Sequence, residues 1–368
     1  MKILVQHPHR AGEISGVLTS INELLPELRA RPGLEVRVLS TKETSLREQI
    51  AAVSWADAVM LNSNSLTMAL AGRVLFRRTL LKLHYPQYQT VHWQFVPMSF
   101  GRRLAAELRH LMRLGAGTKY FVQSVGRLGL RTLVALMVDR VGACSGFCAK
   151  QSALPREVRV LRNPIRVPAG LPPRESGSLD HPHRFVFIGR VTREKGWDTL
   201  VASAALLAAD GRELLLDVVG DGDDLETMQL RVEAAGLTAR FRFHGRLDSQ
   251  AVQDLLDGAL AVVMPSRFQE PAGYIPLEAA ARRVASIVSR VGGLAETAGP
   301  DCASFAAGDE QELARLMAAF LDSPALAVNA GYAAYLRVQQ RFAPSVVADE
   351  LLDALVSRGA AHAARAAH

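Results

Sequence analysis

The sequence predicts an α/β protein of two domains, each built on a parallel sheet between layers of helices. The chain has 368 residues, 49% of them apolar and 21% charged, which suits a globular protein with two cores. Short apolar runs alternate with longer segments of helical spacing. A stretch rich in Pro, Gly, Ser and Asp lies near the middle of the chain.

Ten short apolar runs, many rich in β-branched residues, are the candidate strands. The first half contains KILVQ, EVRVLS, AVMLN, TVHWQF and RVGAC, and the second contains RFVFIG, LLLDVVG, FRFHG, LAVVMP and ASIVS. Between them, segments such as VLTSINELLPELR and TLVASAALLAADG have apolar residues at helical spacing. Strand–helix alternation predicts parallel sheets with helices on both faces.

The stretch 163–183, NPIRVPAGLPPRESGSLDHPH, separates the two sets of runs. Its composition favours an irregular, exposed connection rather than a helix or a strand. Because it falls near the middle of the chain, it predicts an interdomain linker between two α/β domains of similar size.

Charge is distributed unevenly between the two halves. Residues 1–165 contain 23 Lys and Arg against 10 Asp and Glu, a net charge of +13, whereas the remainder has a net charge of −6. Such asymmetry suggests that the first half faces an anionic partner. Nucleic acid is one candidate, but no helix-turn-helix, finger or aromatic-basic motif is present, so we predict no nucleic-acid partner. An anionic membrane surface or an anionic acceptor is left.

The three cysteines, Cys144, Cys148 and Cys302, are few and odd in number, which favours a reducing compartment. No second pair or histidine cluster completes a zinc site around Cys144 and Cys148, so we interpret them as core side chains. The first apolar run is too short for a signal peptide, and no window approaches the ~20 apolar residues of a membrane span. The sequence predicts a cytoplasmic protein, either soluble or peripheral at the inner face of the plasma membrane.

A basic segment in the first half is the candidate for membrane contact. Residues 71–140 contain 12 Lys and Arg but only two acidic residues, Glu107 and Asp139. Helical spacing there separates an apolar face from a basic one, Leu104, Leu108, Leu111 and Met112 against Arg102, Arg109 and Arg113. A cationic amphipathic helix suits an anionic membrane or a phosphorylated acceptor. The alternative is a core-facing helix with solvated arginines.

The first motif that points to chemistry follows the strand RFVFIG. This strand ends at Gly189, and Arg190, Lys195 and Gly196 lie in the loop after it. Ligands of open α/β sheets bind outside the carboxyl ends of the strands. Arg190 could bind a diphosphate there through its bidentate fork, and Lys195 as a point charge. The alternative for both is a solvated basic loop.

Two further strands end in glycines. LLLDVVG ends at Gly220, and Gly222 permits a tight turn before a helix whose first amides favour an anion. Asp221 and Asp223 resemble a metal-binding pair, but Asp223 and Asp224 fit better as charges that cap the helix. We therefore predict no metal site. The strand that ends in FHGRL could offer backbone groups to a nucleobase.

The strongest motif runs from Pro265 to Glu278 with the sequence PSRFQEPAGYIPLE. A strand leads into a loop with Glu270 and Gly273, and then into a helix that carries Glu278. Backbone N–H groups around Gly273 can bind hydroxyl or phosphate oxygens, and Glu278 can accept two hydrogen bonds from ribose hydroxyls. The alternatives are a surface carboxylate at a helix N-terminus for Glu278 and a loop charge for Glu270.

In this order the motifs resemble those of the retaining glycosyltransferases of family 4. They are Gly189-Arg190, Glu194-Lys195-Gly196, Gly220-Asp221-Gly222, Glu270-Pro-x-Gly273 with Glu278, and Gly292-Gly293-Leu-Ala-Glu296. Five ordered motifs are much more specific than any one of them. The resemblance covers residues 185–345 well and the first half loosely. It implies the GT-B fold, in which two Rossmann-like domains with parallel sheets face a cleft.

By this resemblance, residues 1–165 form an N-terminal acceptor-binding domain and residues 166–343 a C-terminal donor-binding domain. A helix in the region 344–360 is expected to cross back to the first domain. Gly16 would be the second glycine of a loop whose backbone N–H reaches the donor diphosphate when the cleft closes. His92 would be an acceptor-side histidine, and the alternative is a histidine with structural partners at a strand end.

The resemblance also implies a donor site. Arg190 and Lys195 would bind the diphosphate beside Gly220, and Glu278 would bind the ribose. Glu270 would hold the transferred sugar together with backbone amides, and a glycine turn would border the base. The residues of these amides and this turn are Ala272, Gly273, Tyr274, Ile275, Gly245, Arg246 and Leu247. The implied catalytic residues are Glu270, Arg190, Lys195 and His92.

The sequence departs from the family pattern at three positions. Ser15 replaces the usual first glycine of the N-terminal loop. Ala272 stands where Phe is commonest, and Tyr274 where a smaller or aliphatic residue is frequent. Because Ala272 and Tyr274 adjoin the implied sugar pocket, we expect them to alter the choice of donor sugar rather than abolish donor binding.

The implied reaction is a metal-independent hexosyl transfer from a nucleotide-diphosphate sugar, with retention of anomeric configuration, in bacterial glycan, lipid-linked saccharide or glycoside biosynthesis. The acceptor would be a sugar, a lipid-linked molecule or a small molecule. No cofactor is expected, because fixed cations and helix N-termini can stabilise the leaving diphosphate. The alternatives are a nucleotide-sugar epimerase or hydrolase of the same fold and a non-catalytic GT-B partner subunit.

Overall fold

Two six-stranded parallel sheets, one in each half of the chain, organise the computed structural model, which describes residues 1–13, 15–88, 98–115, 117–179 and 181–356. The chain divides into two units, Met1–Pro164 with the segment from Phe342 onward, and Ile165–Arg341. The predicted α/β class with two Rossmann-like units is confirmed. Within the described ranges, every helix is too short or too polar to cross a bilayer.

The first unit is built on the sheet β2-β1-β3-β4-β5-β6. Its strands are β1 (Lys2–His7), β2 (Glu35–Ser40), β3 (Ala58–Leu61), β4 (Arg78–Leu83), β5 (Arg140–Ala143) and β6 (Arg159–Val160). The helices between them are α1 (Gly16–Ala30), α2 (Leu46–Trp55), α3 (Leu66–Val74), α4 (Phe100–Arg113), α5 (Thr118–Met137) and α6 (Gly146–Ser152). Ile3, Leu4 and Val5 alternate between the two faces of β1 yet are all buried, so both faces are covered.

Strand β4 is one that the sequence analysis did not predict. The run TVHWQF, expected as a strand, lies outside the described residues, and β4 precedes it along the chain. Lys82 interrupts the apolar pattern of β4 but is buried there. Its Nζ donates to Ser20 Oγ at 3.2 Å and to the carbonyl oxygen of Arg162 at 3.0 Å. Burial lowers the pKa of Lys82 to about 8, because the charged form loses its hydration.

The second unit is built on the sheet β12-β11-β10-β7-β8-β9. Its strands are β7 (Arg184–Ile188), β8 (Leu215–Val219), β9 (Phe241–Gly245), β10 (Ala261–Met264), β11 (Ala285–Ser289) and β12 (Ala303–Phe305). Its helices are α7 (Trp197–Ala209), α8 (Leu225–Ala234), α9 (Ser249–Gly258), α10 (Ile275–Ala281), α11 (Leu294–Ala298), α12 (Glu310–Asp322) and α13 (Pro324–Arg341). All five strands predicted here are present. The sixth strand, β12, was not predicted because it is too short to form an apolar run. The same holds for β6 in the first unit.

After Arg341 the chain returns to the first unit. The helix α14 (Pro344–Val356) packs against α1 and buries Leu351 in the core of that unit. An ion pair of 2.6 Å between Arg162 and Glu350 borders the contact. The last described helix therefore completes the core of the unit in which the chain began.

The stretch 163–183 is not a free linker over most of its length, contrary to the prediction. The boundary between the units falls after Pro164. Arg174 donates to carbonyl groups at the end of α9, and Arg283 donates to the carbonyl oxygen of Pro172 at 2.7 Å. The Arg174 guanidinium thus satisfies carbonyls at the end of α9, and the Arg283 guanidinium satisfies a carbonyl of the Pro- and Gly-rich segment.

Helix α4 forms where it was predicted but buries a different face. Arg103, Glu107 and Leu111 are buried, whereas Met112, which was assigned to the apolar face, is 61% exposed. Arg103 donates from its guanidinium to Gln151 Oε1 of α6. The predicted apolar face is therefore wrong in part, because a polar contact with α6 fixes how the helix is turned. The three arginines predicted on the other face are exposed.

Candidate functional site

The strand order of the second sheet reverses between β7 and β10, which pair with each other. From β7 the chain moves outward through β8 to β9, and from β10 it moves the other way through β11 to β12. Loops that leave the carboxyl edge in opposite directions open a crevice, the usual ligand site of such sheets. Here those loops are residues 189–196 and 265–274, which contain most of the motif residues predicted from sequence.

Two charged side chains from these loops meet at the reversal. Lys195 Nζ forms an ion pair with Oε1 of Glu270, which also accepts a hydrogen bond from Ser266 Oγ at 3.2 Å. Glu270 is only 8% exposed. Burying charges costs hydration free energy, which the mutual attraction and the extra hydrogen bond offset. The crevice thus holds a cation and a carboxylate whose positions are mutually fixed.

One carbonyl group joins the two loops. The carbonyl oxygen of Glu194 accepts from the backbone N–H groups of the two residues that follow Ser266, at 2.8 and 3.0 Å. It also accepts from the buried Ser266 hydroxyl at 3.2 Å. Ser266 therefore contacts both the carbonyl before Lys195 and the Glu270 carboxylate. The sequence analysis gave it no role, although it lies four residues before Glu270.

The close approach of the two loops depends on Gly196. Its φ of +73° lies in the left-handed region, and a Cβ atom there would be 1.9 Å from the carbonyl oxygen of Pro265. No side chain fits at that distance, so only glycine allows the backbone after Lys195 to touch the end of β10.

The ends of β7, β8 and β9 are joined by backbone hydrogen bonds. Gly220 N–H donates to the carbonyl oxygen of Gly245 at 2.7 Å, and Val191 N–H donates to that of Asp221 at 3.0 Å. A Cβ atom on Gly220 would lie 1.9 Å from the carbonyl oxygen of Gly189. The structure therefore brings the predicted residues Gly220 and Gly245 together beside the loop that contains Lys195.

The acidic run after β8 has the predicted position at the start of α8, but no side-chain hydrogen bond caps the helix. Asp224 has the N-cap position, but its Oδ2 accepts from the indole Nε1 of Trp197 at 3.3 Å. Asp221 accepts from the Gly222 N–H at 2.8 Å and lies 3.7 Å from Arg246 Nε. The Asp224 carboxylate therefore binds the indole N–H of Trp197 instead of a backbone N–H at the start of α8. In the described ranges, no three His, Cys, Asp or Glu side chains converge on one point.

Arg190 is held apart from the Lys195–Glu270 pair. Its side chain is 72% exposed, and its Nη2 lies 3.8 Å from Oε1 of Glu194. The two cations that the sequence assigned to one diphosphate are therefore held by different carboxylates. An exposed pair of this kind contributes little free energy, so Arg190 can turn toward an anion at small cost.

The loop after Glu270 leads directly into α10. Ala272 is buried, and Gly273 has a φ of +128°, which residues with side chains rarely adopt. The carbonyl oxygen of Tyr274 accepts from the Glu278 N–H at 2.9 Å. Helix α10 therefore begins at Ile275 with Glu278 in its first turn. The structure places Glu278 within about one helical turn of the Gly273 backbone.

The glycine pair at 292–293 supports the Glu270 loop. Gly293 N–H donates to the carbonyl oxygen of Glu270 at 2.6 Å, and Gly292 N–H donates to Gln269 Oε1 at 2.8 Å. Gly292 has a φ of +53°, and a Cβ atom there would be 2.3 Å from the same Glu270 oxygen. The last of the five motifs thus holds the backbone of Glu270 in place.

At the end of β9, Gly245 turns the chain with a φ of +63°. Arg246 is exposed, and Leu247 packs against the apolar residues between β7, β8 and α9. The preceding His244 donates from Nε2 to Asp217 Oδ1 at 2.6 Å, an oxygen of a buried carboxylate inside β8. The sequence analysis gave no role to this pair, because nothing local links residues in two different strands.

In the first unit, Gly16 begins α1 and is exposed. Ser15 is its N-cap, and the hydroxyl oxygen accepts from the N–H three residues on at 3.2 Å. The same oxygen lies 3.2 Å from Nε2 of His9. The other ring nitrogen of His9, Nδ1, lies 2.9 Å from a carboxylate oxygen of Glu13. The serine that replaces the expected glycine therefore stabilises the helix start. His92 lies outside the described residues.

Comparison with known proteins was made by sequence and by structure. A family model described as glycosyl transferases group 1 matches residues 173–337. The 2-deoxystreptamine N-acetyl-D-glucosaminyltransferase of Streptomyces fradiae is 32% identical over 316 residues, which cover 75% of this chain and 70% of that protein. The 2-deoxystreptamine glucosyltransferase of Streptomyces kanamyceticus is 35% identical over 178 residues, 48% of this chain and 43% of that protein. The chain thus matches less than half of the second relative.

Among solved structures, Anabaena HepE in complex with UDP resembles the whole chain. The TM-score is 0.70 at 16% identity, with 97% of this chain and 100% of that chain covered. HepE has also been solved with UDP-glucose. At this identity the likeness shows the fold alone, which is the GT-B architecture expected from the sequence.

Proposed function

This chain belongs to the glycosyl transferases of group 1, and from that premise we propose that it is a retaining GT-B enzyme of family 4. The reaction is transfer of a hexosyl group from a nucleotide-diphosphate sugar to an acceptor. The observation that carries the proposal is the Lys195–Glu270 ion pair at the strand reversal of the second sheet. It supplies one group for the leaving diphosphate and one for the sugar.

Lys195 and Arg190 are the diphosphate-binding residues of the proposal. Cleavage of the glycosyl phosphate bond builds negative charge on the departing diphosphate, and a preorganised cation stabilises that charge. Lys195 is already oriented by Glu270, and Arg190 is held only by an exposed contact with Glu194. Entry of a diphosphate would draw both cations from their carboxylates to phosphate oxygens.

Glu270 is then released to bind the transferred sugar. Once Lys195 contacts phosphate, the Glu270 carboxylate can accept hydrogen bonds from sugar hydroxyls. The backbone amides of residues 272–275, in the loop that Gly273 turns with a φ of +128°, are proposed to bind the same sugar. Glu278 is proposed to bind the ribose hydroxyls, and residues 245–247 to border the base, with Gly220 beside the diphosphate.

The acceptor hydroxyl is proposed to attack the anomeric carbon on the face that the diphosphate leaves. The new C–O bond forms as the bond to phosphate breaks, and an oxygen of the leaving phosphate takes the hydroxyl proton. Positive charge develops on the sugar as it does in glycosidases. The N–H of Gly16 would contact the diphosphate, and His92 would lie on the acceptor side.

We propose a uridine-diphosphate hexose as the donor, either glucose or N-acetylglucosamine. Two relatives are named as glucosyl and N-acetylglucosaminyl transferases, and HepE has been solved with UDP and UDP-glucose. Ala272 and Tyr274 adjoin the proposed sugar position and are the residues that would select between the two. Both sugars share the hydroxyl at C3 and differ at C2, so a choice would reflect contacts at C2.

The acceptor is proposed to differ in charge from that of these relatives. They are named for 2-deoxystreptamine, whose amino groups are cationic near neutral pH. Residues 1–165 of this chain have a net charge of +13, which repels a cationic acceptor. A neutral or anionic acceptor, for example one carried on lipid at the cytoplasmic face of an anionic membrane, suits this unit better.

Transfer is expected to depend on an acceptor, and UDP release measures it. The protein would first be screened by thermal unfolding against nucleotide sugars, because a bound donor raises stability by mass action. UDP release would then be measured with the stabilising donor, with and without neutral and phosphorylated glycolipids. Slow release that rises at least tenfold with one acceptor supports transfer. Fast release or epimerised donor without any acceptor would instead identify a hydrolase or epimerase, and no response would identify a partner subunit.

The rate of UDP release in the presence of acceptor is expected to be unchanged in excess chelator. The positive charge that stabilises the leaving group comes from Lys195 and Arg190, so no divalent ion has to supply it. Initial rates would be compared in chelator, magnesium and manganese. Complete loss in chelator with recovery in either metal would contradict this proposal and return the Asp-Gly-Asp run at 221–223 to a metal-binding role.

A further inference from the structure

Exposed large apolar side chains are concentrated in one segment of the sequence of the first unit. Of the twenty such residues in the described part of the chain, fourteen lie between Leu46 and Leu136. Single exposed apolar residues are normal, but a contiguous patch on a protein surface usually marks an interaction site. This concentration therefore calls for a partner that covers it.

Much of this apolar surface lies on two neighbouring helices. Leu66, Leu70 and Val74 follow the spacing of four along the outer side of α3. On α5, Leu130, Leu133 and Leu136 are exposed, whereas Ser124, Leu128, Val134 and Ala135 form the buried side. Helices α3 and α5 pack against each other, and we therefore treat their two outer rows as one surface. We name as the α3–α5 face the residues Leu70, Val74, Phe76, Leu130, Leu133 and Leu136.

Phe76 is the most exposed member of this face. It follows α3 at 79% exposure and has a φ of +53°, in the left-handed region that bulky residues avoid. The Phe76 ring is not buried, so its packing does not offset this backbone strain. Strain of this kind clusters at sites of function, and here it holds an aromatic ring out from the surface.

Cations flank the face, and carboxylates are nearly absent from this part of the sequence. Residues 58–138 contain a single acidic residue, Glu107, and it is buried in α4. Arg73, Lys119 and Arg127 are exposed on α3 and α5, and none of them forms an ion pair with a described residue. The face therefore combines apolar side chains with uncompensated positive charge.

We propose that the α3–α5 face docks on an anionic lipid bilayer. Apolar side chains would enter the boundary between headgroups and acyl chains while the cations contact anionic headgroups. A second copy of this chain fits less well, because two-fold pairing would bring the same cations against each other. The inference extends the proposed function by placing the acceptor at a membrane. It also moves the contact from α4, where the sequence suggested it, to α3 and α5.

Vesicle flotation tests the proposal with the full chain. We expect binding to phosphatidylcholine vesicles that contain phosphatidylglycerol, little binding to pure phosphatidylcholine, and weaker binding as salt is raised. The double variant Phe76→Asn, Leu133→Gln should bind at least tenfold more weakly. Asparagine tolerates the left-handed conformation and both side chains are exposed, so the fold is kept. The matched control Leu230→Gln, an exposed leucine on α8, should bind like the unchanged protein.

The double variant Arg73→Gln, Arg127→Gln separates charge from apolar insertion. Each cation near an anionic surface contributes about 1 kcal/mol, so we expect roughly fivefold weaker binding per residue and a smaller salt dependence. Absent binding, equal binding to both vesicles, or unchanged binding of both double variants would overturn the proposal. So would a dimer in sedimentation that the Phe76 and Leu133 changes dissociate, since the face would then pair two copies.

Binding of the sugar donor is measured separately, so that a failure of this inference can be distinguished from a failure of the proposed function. Thermal stabilisation by UDP-hexoses would be measured without vesicles for each variant, and we expect it to be unchanged by the face variants. Normal vesicle binding without any donor response would remove the proposed function and leave the docking surface. A donor response without vesicle binding would remove the docking surface alone.

Discussion

Replacement of Lys195 by alanine is expected to lower kcat by about 10²–10³, the effect of removing one preorganised group from a developing negative charge, about 2.7–4 kcal/mol. Lys195 is the cation that Glu270 holds at the strand reversal of the second sheet. The loss should appear in kcat more than in KM, because the charge on the diphosphate grows in the transition state. Steady-state rates of UDP release measure it.

Two controls separate chemistry from folding in this experiment. Lys195→Ala leaves a buried carboxylate without its cation, which destabilises the second unit. The double variant Lys195→Ala, Glu270→Gln removes that charge, so it should recover thermal stability without recovering turnover. Arg193→Ala changes an exposed side chain of the same loop and should keep normal turnover. Near-normal turnover of Lys195→Ala would show that Lys195 does not contact the leaving group.

Gly196→Ala is expected to destabilise the protein by roughly 3 kcal/mol or more. The left-handed conformation costs about 1–2 kcal/mol for a residue with a side chain, and overpacking adds about 1–3 kcal/mol. The overlap is severe, since the new Cβ atom would lie 1.9 Å from the carbonyl oxygen of Pro265. Thermal unfolding should show a lower midpoint by about 2–4 °C for each kcal/mol in a unit of this size.

Gly211→Ala is the matched control for this change. Gly211 has the same φ of +73°, but nothing lies within 4 Å of the position that a Cβ atom would take. Gly211→Ala should therefore lose only the stability that the left-handed conformation costs. The difference in unfolding free energy between the two variants then measures the close approach of the loops. Equal losses would mean that the loop after Lys195 can move away from Pro265.

The strands of the second sheet could be predicted because buried parallel strands appear as continuous apolar runs. Lys195 and Glu270 could be predicted as site residues because both follow such runs, and ligands of these sheets bind at the carboxyl ends. The five strands predicted in this half are all present. The Ala272–Glu278 segment could likewise be placed at the start of the helix that follows the strand, from its pattern alone.

Other elements could not be predicted from the sequence, because the residues that they contact lie far away along the chain. Strand β4 contains Lys82, a residue that disfavours burial until Ser20 and the carbonyl of Arg162 accept its hydrogen bonds. Helix α4 turns its Arg103 side inward because Gln151 accepts from the guanidinium. Composition and spacing contain no information about such partners, so apolar periodicity gave a face of α4 that is wrong in part.

The sequence by itself determined the fold class and the order of the motifs, and it identified the candidate residues of the site, since each follows from local pattern. Only the tertiary structure decided that Lys195 and Glu270 form one ion pair, and that α3 and α5 pack against each other. Hydrophobic periodicity indicates which side of an element is buried where the buried side chains are apolar, but not in α4, where Arg103 is buried against Gln151. Contacts between side chains from distant segments depend on strand order and on loops that approach closely enough to require glycine at 196.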